Sequence, residues 1–164
     1  MAHNIEVGIM SNAFLGGPIS NVICRGVFDK KIKKEIESVK KILLECKGYD
    51  EVLSAYFNEQ FGKKPPSIKK MFNKDEEWIY KAKHAYFVIS YDKRKCLPRT
   101  DGSYIEIGIC YAKNIPITII SDAPKKAFPT MLKSMIKNKK VEFIALAKFL
   151  NNIKRNPSPH RSSK

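Results

Sequence analysis

The segment Ala85-Tyr86-Phe87-Val88-Ile89-Ser90-Tyr91 restricts the fold more than any other part of the chain. It is apolar without the alternation expected of a strand with one wet face. It therefore predicts a strand covered on both sides, as the central strands of parallel sheets are. Pro116-Ile117-Thr118-Ile119-Ile120-Ser121 repeats the pattern. Between the two lie a polar loop, residues 92–100, and a helical pattern over residues 103–113. Two buried strands joined through a helix form a right-handed parallel crossover, which places the chain in the α/β class.

The remaining segments extend that unit. Residues 5–11 read as a buried first strand, followed by a turn-rich loop over residues 12–21. Asp29 is placed to cap a helix that runs to about Lys47, with Ile32, Ile36, Val39, Ile42 and Leu43 on one face and Gly48 beyond its end. Residues 51–57 read as a second strand and residues 58–64 as an exposed loop. Pro65-Pro66-Ser67 opens a helical stretch with a break at Asn73-Lys74-Asp75, where Asp75 caps a second helix. A helix over 128–138, a strand over 141–145 and a helix over 146–153 complete the pattern. The expected architecture is a three-layer α/β sandwich with a roughly five-stranded, mostly parallel sheet, flavodoxin-like or Rossmann-like. Residues 1–153 form one domain, and the basic segment 154–164 is expected to be disordered. Ligands bind such sheets beyond the carboxyl ends of their strands. The functional loops are therefore expected after Ser11, Phe57, Tyr91 and Ser121.

Composition narrows the partners. No apolar run approaches the ~20 residues of a membrane span, and the N-terminal segment lacks the pattern of a signal peptide, so a cytoplasmic protein without membrane contact is expected. Cys24, Cys46, Cys96 and Cys110 are far apart, and with 3 histidines they offer no zinc spacing, so neither metal nor cofactor is expected. Cys96 falls in a polar loop and Cys110 in an apolar helical pattern. Lys+Arg outnumber Asp+Glu by 31 to 16, a net charge of +15. That field suits phosphorylated ligands. Because much of it is lysine on helical faces, nucleic acid is not the expected partner.

Chemistry concentrates at Asp101-Gly102-Ser103, just before a helix, with Glu106 one turn in. Free N–H groups and the helix dipole make such a turn suited to an anion. Ser103 and Glu106 equally fit the S-x-x-E capping box, so the local pattern alone leaves both readings open.

The wider segment resembles the nucleoside 2-deoxyribosyltransferase family, whose superfamily includes the 2'-deoxynucleoside 5'-phosphate N-hydrolases. The resemblance rests on Phe87-Val88-Ile89-Ser90-Tyr91-Asp92, then Asp101-Gly102-Ser103-Tyr104-Ile105-Glu106-Ile107-Gly108, then Asn114-Ile115-Pro116-Ile117. Asp75 and Trp78-Ile79 look like the family's D-x-x-x-I helix. The resemblance implies that Glu106 attacks the anomeric carbon and displaces the base, forming a glycosyl ester. Asp92 is then implied as the carboxylate that helps the base exchange a proton. Asp101, Gly102 and Ser103 contact the sugar hydroxyls or a 5'-phosphate, while Phe14, Ser11 and Arg25 complete the substrate site. The acceptor is a second base in the transferases and water in the hydrolases, and a homo-oligomer is implied. The family's first strand reads Y-L-A-G-P-F, with an aromatic hydroxyl near the nucleophile. No tyrosine occupies residues 5–11, so Tyr86, Tyr91 or Ser11 stand as replacements. A phosphoribohydrolase with P-G-G-x-G-T-x-x-E is disfavoured by the single glycine here. A non-catalytic nucleotide-sensing or nucleic-acid-associated module on the same fold is the remaining alternative.

Overall fold

The computed structural model describes residues 10–151. In chain order the elements are β1 (Asn12–Gly16), β2 (Ile23–Cys24), β3 (Val27–Phe28), α1 (Lys30–Glu45), β4 (Glu51–Leu53), α2 (Ala55–Asn58), α3 (Ile68–Lys81), β5 (Ala82–Val88), α4 (Asp101–Ala112), β6 (Ile117–Ser121), α5 (Thr130–Lys137), β7 (Glu142–Ala145) and α6 (Leu146–Asn151). Five strands form one sheet in the order β4-β1-β5-β6-β7, and every pairing is parallel. Numbered by their appearance in this sheet, the strands run 2-1-3-4-5, the flavodoxin-like order. The short β2 and β3 make a separate antiparallel hairpin.

Both sheet faces are covered, which explains the unbroken apolar strands. Ala13 and Leu15 pack with Tyr86, Val88 and Ile120 against Ile32, Ile36, Val39 and Phe149 on one side. Phe14, Ala85, Phe87 and Ile119 turn the other way, onto Ile79, Ile107, Cys110 and Leu132. Adjacent residues of a strand thus serve opposite cores, as the two-residue period demands. Asp29 caps α1: its Oδ1 accepts from the Lys31 and Ile32 amides at 2.9 and 3.1 Å. Gly48 lies just past that helix with φ +71°, a left-handed value a glycine adopts without strain.

Several boundaries differ from the sequence expectation. The first described strand is residues 12–16, inside what reads as a loop; most of the expected strand 5–11, residues 5–9, lies outside the described residues. Residues 51–57 divide: β4 stops at Leu53, and Ser54 turns the chain into α2 while its hydroxyl donates to the Leu15 carbonyl at 2.7 Å. That bond fastens α2 to the carboxyl end of β1. Helix α3 is continuous from Ile68 to Lys81, so Asp75 is an interior residue and caps nothing. β5 starts earlier than expected, at Ala82, and ends at Val88. Helix α4 begins at Asp101 rather than Ser103. The segment 154–164 lies outside the described residues. Cys96 is exposed and Cys110 buried, as expected. No helix among the described residues is long and apolar enough to cross a membrane.

Candidate functional site

At the carboxyl ends of β1 and β5, where the strand order reverses direction, the loops diverge and leave a cavity of about 470 Å3. Four segments build it. The β1 end contributes Phe14 through Asn21, and the β4–α2 corner contributes Ala55, Tyr56 and Glu59. Helix α3 supplies Met71 and Asp75, and the start of α4 supplies Arg99 through Ser103 with Glu106.

Glu106 occupies the most constrained position. Its Oε2 is buried and has no hydrogen-bond partner among the described residues. A Cβ on Gly16 would come within 3.0 Å of that oxygen, and within 2.8 Å of the Phe14 and Phe87 rings. Only a glycine lets β1 run this close to the carboxylate. The capping-box reading of Ser103 and Glu106 falls with the earlier helix start: Thr100 is the N-cap, and Ser103 is an interior helical residue. Ser103 is buried, and its Oγ accepts from the Thr100 hydroxyl. Glu106 is left without a backbone amide to serve.

Glu106 lines the cavity with Glu59 and Asp75, while a fourth acidic residue, Asp101, lies at the rim and pairs with Arg99. Burial, then the charges of Asp75 and Glu59, hold the Glu106 carboxyl well above the usual carboxylate range. Burial pushes Asp75 up to about 6, against the opposing pull of Lys74. Glu59 is raised by burial and by Asp75, again against Lys74. The charge on each of these carboxyl groups disfavours ionisation of its neighbours, so their titrations are coupled.

Tyr56 provides the aromatic hydroxyl that the first strand lacks. It is buried, its OH donates to the Pro18 carbonyl at 3.3 Å, and burial with the Glu106 charge pushes its phenol well above the ordinary range. Gly17, with φ +144°, passes directly beneath it; a Cβ there would sit 2.3 Å from the Tyr56 hydroxyl and 2.4 Å from the Val88 carbonyl oxygen. With β1 at residues 12–16, Phe14-Leu15-Gly16-Gly17-Pro18 stands where the resembled Y-L-A-G-P is expected. Phe14 carries no hydroxyl, and the Tyr56 hydroxyl of α2 is an aromatic hydroxyl in the cavity lining.

At the mouth of the cavity, the first turn of α4 presents free backbone amides together with the Asp101 side chain. Among the described residues no hydrogen bond engages the amides of Asp101, Gly102 and Ser103, whereas Tyr104 N–H donates to the Thr100 carbonyl. A Cβ on Gly102 would meet nothing within 4 Å, so the approach is open. Arg99 stands at the rim, its Nε and Nη2 donating to Asp101 Oδ2 at 2.8 and 2.7 Å, with its side chain 80% exposed. The Asn21 amide donates to the Arg99 carbonyl at 2.7 Å and ties this rim to the β1 loop.

The sequence-predicted residues divide accordingly. Phe14, Asp101, Gly102, Ser103 and Glu106 line the cavity together. Asp92 does not: its Oδ1 accepts from the Arg94 and Cys96 amides and its Oδ2 from Arg94 Nε at 3.0 Å, an arrangement that closes the 92–96 turn and lowers its pKa. Ser11 precedes β1, at the end away from the cavity, where its amide donates to Asp50. Arg25 lies in the β2–β3 hairpin and borders a separate surface hollow with Lys30, Lys31 and Lys93. Tyr86 shares a hydrogen bond with Tyr49, and Tyr91 is not part of the lining. Sequence reasoning missed Tyr56 and Glu59 as site residues and placed Asp75 at a cap. The D-x-x-x-I resemblance was the available signal for Asp75; reading 51–57 as a strand hid Tyr56, and reading 58–64 as exposed hid Glu59.

No protein-family model and no curated protein matches the sequence. Among solved structures, the solution structure of BlsM matches with a TM-score of 0.66 at 15% identity, covering 94% of this chain and 98% of that one. The Clostridium botulinum CMP N-glycosidase BcmB matches with a TM-score of 0.57 at 18% identity, covering 88% of this chain and 98% of that one. The chain therefore has the α/β fold of these proteins along nearly their whole length.

Proposed function

We propose that this protein cleaves the N-glycosidic bond of nucleoside 5'-monophosphates, with Glu106 as the nucleophile and water as the final acceptor. The observation that carries this reading is the buried, unpartnered Glu106 oxygen beneath Gly16, in the same cavity as the unengaged amides of α4. A carboxylate there can approach an anomeric carbon from below while the 5'-phosphate meets the helix N-terminus and Arg99. The structural neighbour named as a CMP N-glycosidase supports the same reaction class.

The chemistry follows from the charges. As the base leaves, the sugar acquires oxocarbenium character, and that positive charge favours the ionised form of Glu106, which burial disfavours. The ionised Glu106 oxygen bonds to the anomeric carbon, the C–N bond breaks, and the electron pair left on the base takes a proton from Asp75. Water subsequently attacks the same carbon, releases the sugar phosphate and restores Glu106. Asp75, lifted to about 6, is suited to hand over and take back a proton near neutral pH. It takes the role that the resemblance assigned to Asp92. Asp101 orients Arg99, and Phe14 supplies an apolar wall.

The test is base release from nucleosides and nucleoside monophosphates, followed by chromatography, with and without a free acceptor base. Release from monophosphates in buffer alone is expected. Exchange that requires the added base would assign transfer instead. Glu106→Gln, nearly the same size and shape, is expected to fold normally and to lose at least about a thousandfold in kcat, as removal of a covalent nucleophile does. Activity surviving in that variant would sink the mechanism.

A further inference from the structure

The chain around β2 has two faces. Ile23 lines the cavity described above, while Val22 and Cys24 on either side of it line a surface hollow of about 640 Å3. The β2–β3 turn, the start of α1 and the 92–96 turn bring Arg25, Lys30, Lys31 and Lys93 to that hollow. Lys31 is already engaged: its Nζ donates to Asp122 Oδ2 at 2.6 Å and to the Tyr91 carbonyl at 2.9 Å, and it pairs with Glu35 at 3.2 Å. Arg25, Lys30 and Lys93 are exposed and form no ion pair among the described residues. The one carboxylate of the lining, Asp29, accepts from the Lys31 and Ile32 amides. That cap occupies the helix amides, so side-chain cations, not the backbone of α1, meet whatever enters. Local preference opposes this arrangement. Lys30 and Lys31 face the helix dipole with the wrong sign, and no acidic residue stands in the first turn. Arg25 is held at φ +49°, in the left-handed region. Like charges thus converge on a concavity, and an anionic ligand there relieves their repulsion.

We propose that this hollow binds a nucleoside polyphosphate, at a site separate from the catalytic cavity. Three unpaired cations match a chain of phosphates better than a single phosphate, whose charge is about −2. Val22, Val27 and Phe28 give the hollow an apolar side for the sugar and base, and its volume is that of a small-molecule site. The catalytic cavity has the opposite balance. Four carboxyl groups line it, and its one arginine, Arg99, is paired with Asp101, which suits a ligand of lower charge. The two sites therefore select differently charged ligands, and binding at the hollow does not depend on the reaction proposed for the cavity.

Cys24 lines the hollow and is exposed, so its alkylation reports occupancy. The full chain is treated with iodoacetamide at increasing concentrations of adenosine triphosphate, and modification of each cysteine is read from peptide masses. Cys46, at the far end of α1, is the internal control. Saturating triphosphate is expected to slow alkylation of Cys24 at least about fivefold and to leave Cys46 unchanged. Adenosine monophosphate should need at least about a tenfold higher concentration for half-protection, and adenosine should give none. Lys93→Glu and Arg25→Glu, both at exposed positions, should raise the half-protection concentration of the triphosphate at least about tenfold. Arg99→Ala, at the rim of the cavity, should leave it unchanged. Circular dichroism checks that each variant folds. Undiminished protection in Lys93→Glu and Arg25→Glu overturns the site, as does equal slowing at Cys24 and Cys46, which is a general effect of the added salt. Protection lost in Arg99→Ala places the ligand in the catalytic cavity and overturns it too. Inorganic tripolyphosphate protecting as well as the nucleoside triphosphate overturns the role of the apolar side. A single-stranded oligonucleotide protecting at lower nucleotide concentration overturns the small-ligand assignment.

Discussion

Asp75 shows how a carboxyl placed in the cavity works against the stability of the fold that carries it. In the unfolded chain it titrates near 3.8, and in the folded protein near 6. Between those values the folded state binds more protons than the unfolded one, so stability falls as pH rises, and above about 6 the full penalty applies. Two pKa units correspond to about 3 kcal/mol at most, and partial exposure of the side chain reduces this to about 1–2 kcal/mol. Asp75→Asn, which cannot ionise, is therefore expected to melt at the same temperature as the unaltered protein at pH 4 and several degrees higher at pH 7.5. The same variant should lose activity. Thermal melts across that pH range check the sign: a variant less stable at pH 7.5 would mean that Asp75 is ionised and favourably paired. Glu106 shares the logic, since its elevation comes from burial and then from Asp75 and Glu59. Stability is given up where the reaction needs carboxyl groups close together.

Among the elements, the carboxyl end of β1 decides whether the cavity exists. Gly16 and Gly17 let the chain pass between Glu106 and Tyr56, with no room for a Cβ at either position. At Gly17 the obstacle includes the Val88 backbone, which cannot rotate away, and φ is +144°. Gly17→Ala is expected to destabilise by about 2–4 kcal/mol, measured by denaturant unfolding. Gly16→Ala meets aromatic edges and a carboxylate, which can shift by a few tenths of an ångström, so it should lose activity more than stability. Equal stability losses in the two variants would count against this difference. The same strand marks where the sequence was hard to read. β5 and β6 were legible because a long apolar run has one good explanation in a parallel sheet. Asn12-Ala13-Phe14-Leu15-Gly16 is short, starts with a polar residue and ends in glycines, so its turn-forming residues outweighed its apolar centre. Glu106 and the Asp101-Gly102-Ser103 turn were legible because they are contiguous. Tyr56 and Glu59 reach the cavity only through tertiary packing of α2, which no local pattern encodes, while Asp75 on α3 had the D-x-x-x-I resemblance as its one signal.

For the whole molecule, the sign of the charge changes between surface and interior. The chain carries +15, yet the cavity gathers Glu59, Asp75, Asp101 and Glu106, with Arg99, paired to Asp101, as the cation at its lining. A phosphate approaching that acidic interior would be repelled at close range, so the outer field and the α4 amides must draw it to the rim and hold it there. Long-range attraction of this kind is screened by salt, with a Debye length of about 10 Å at 0.1 M and about 3 Å at 1 M. The contact at Arg99 is itself exposed and screened as well. Raising ionic strength from about 0.05 to about 0.5 M is therefore expected to raise KM for a nucleoside 5'-monophosphate several-fold. KM for the corresponding nucleoside should barely move, because it carries no charge to steer. Arg99→Ala should raise KM for the monophosphate by about tenfold at low salt and flatten its salt dependence. In all these cases kcat should change little, since the phosphate is remote from the bond that breaks. Steady-state kinetics on matched nucleoside and nucleotide pairs separate the effects. Parallel increases in both KM values would show that salt acts on the protein rather than on phosphate attraction, and the charge of the surface would then have no part in substrate choice.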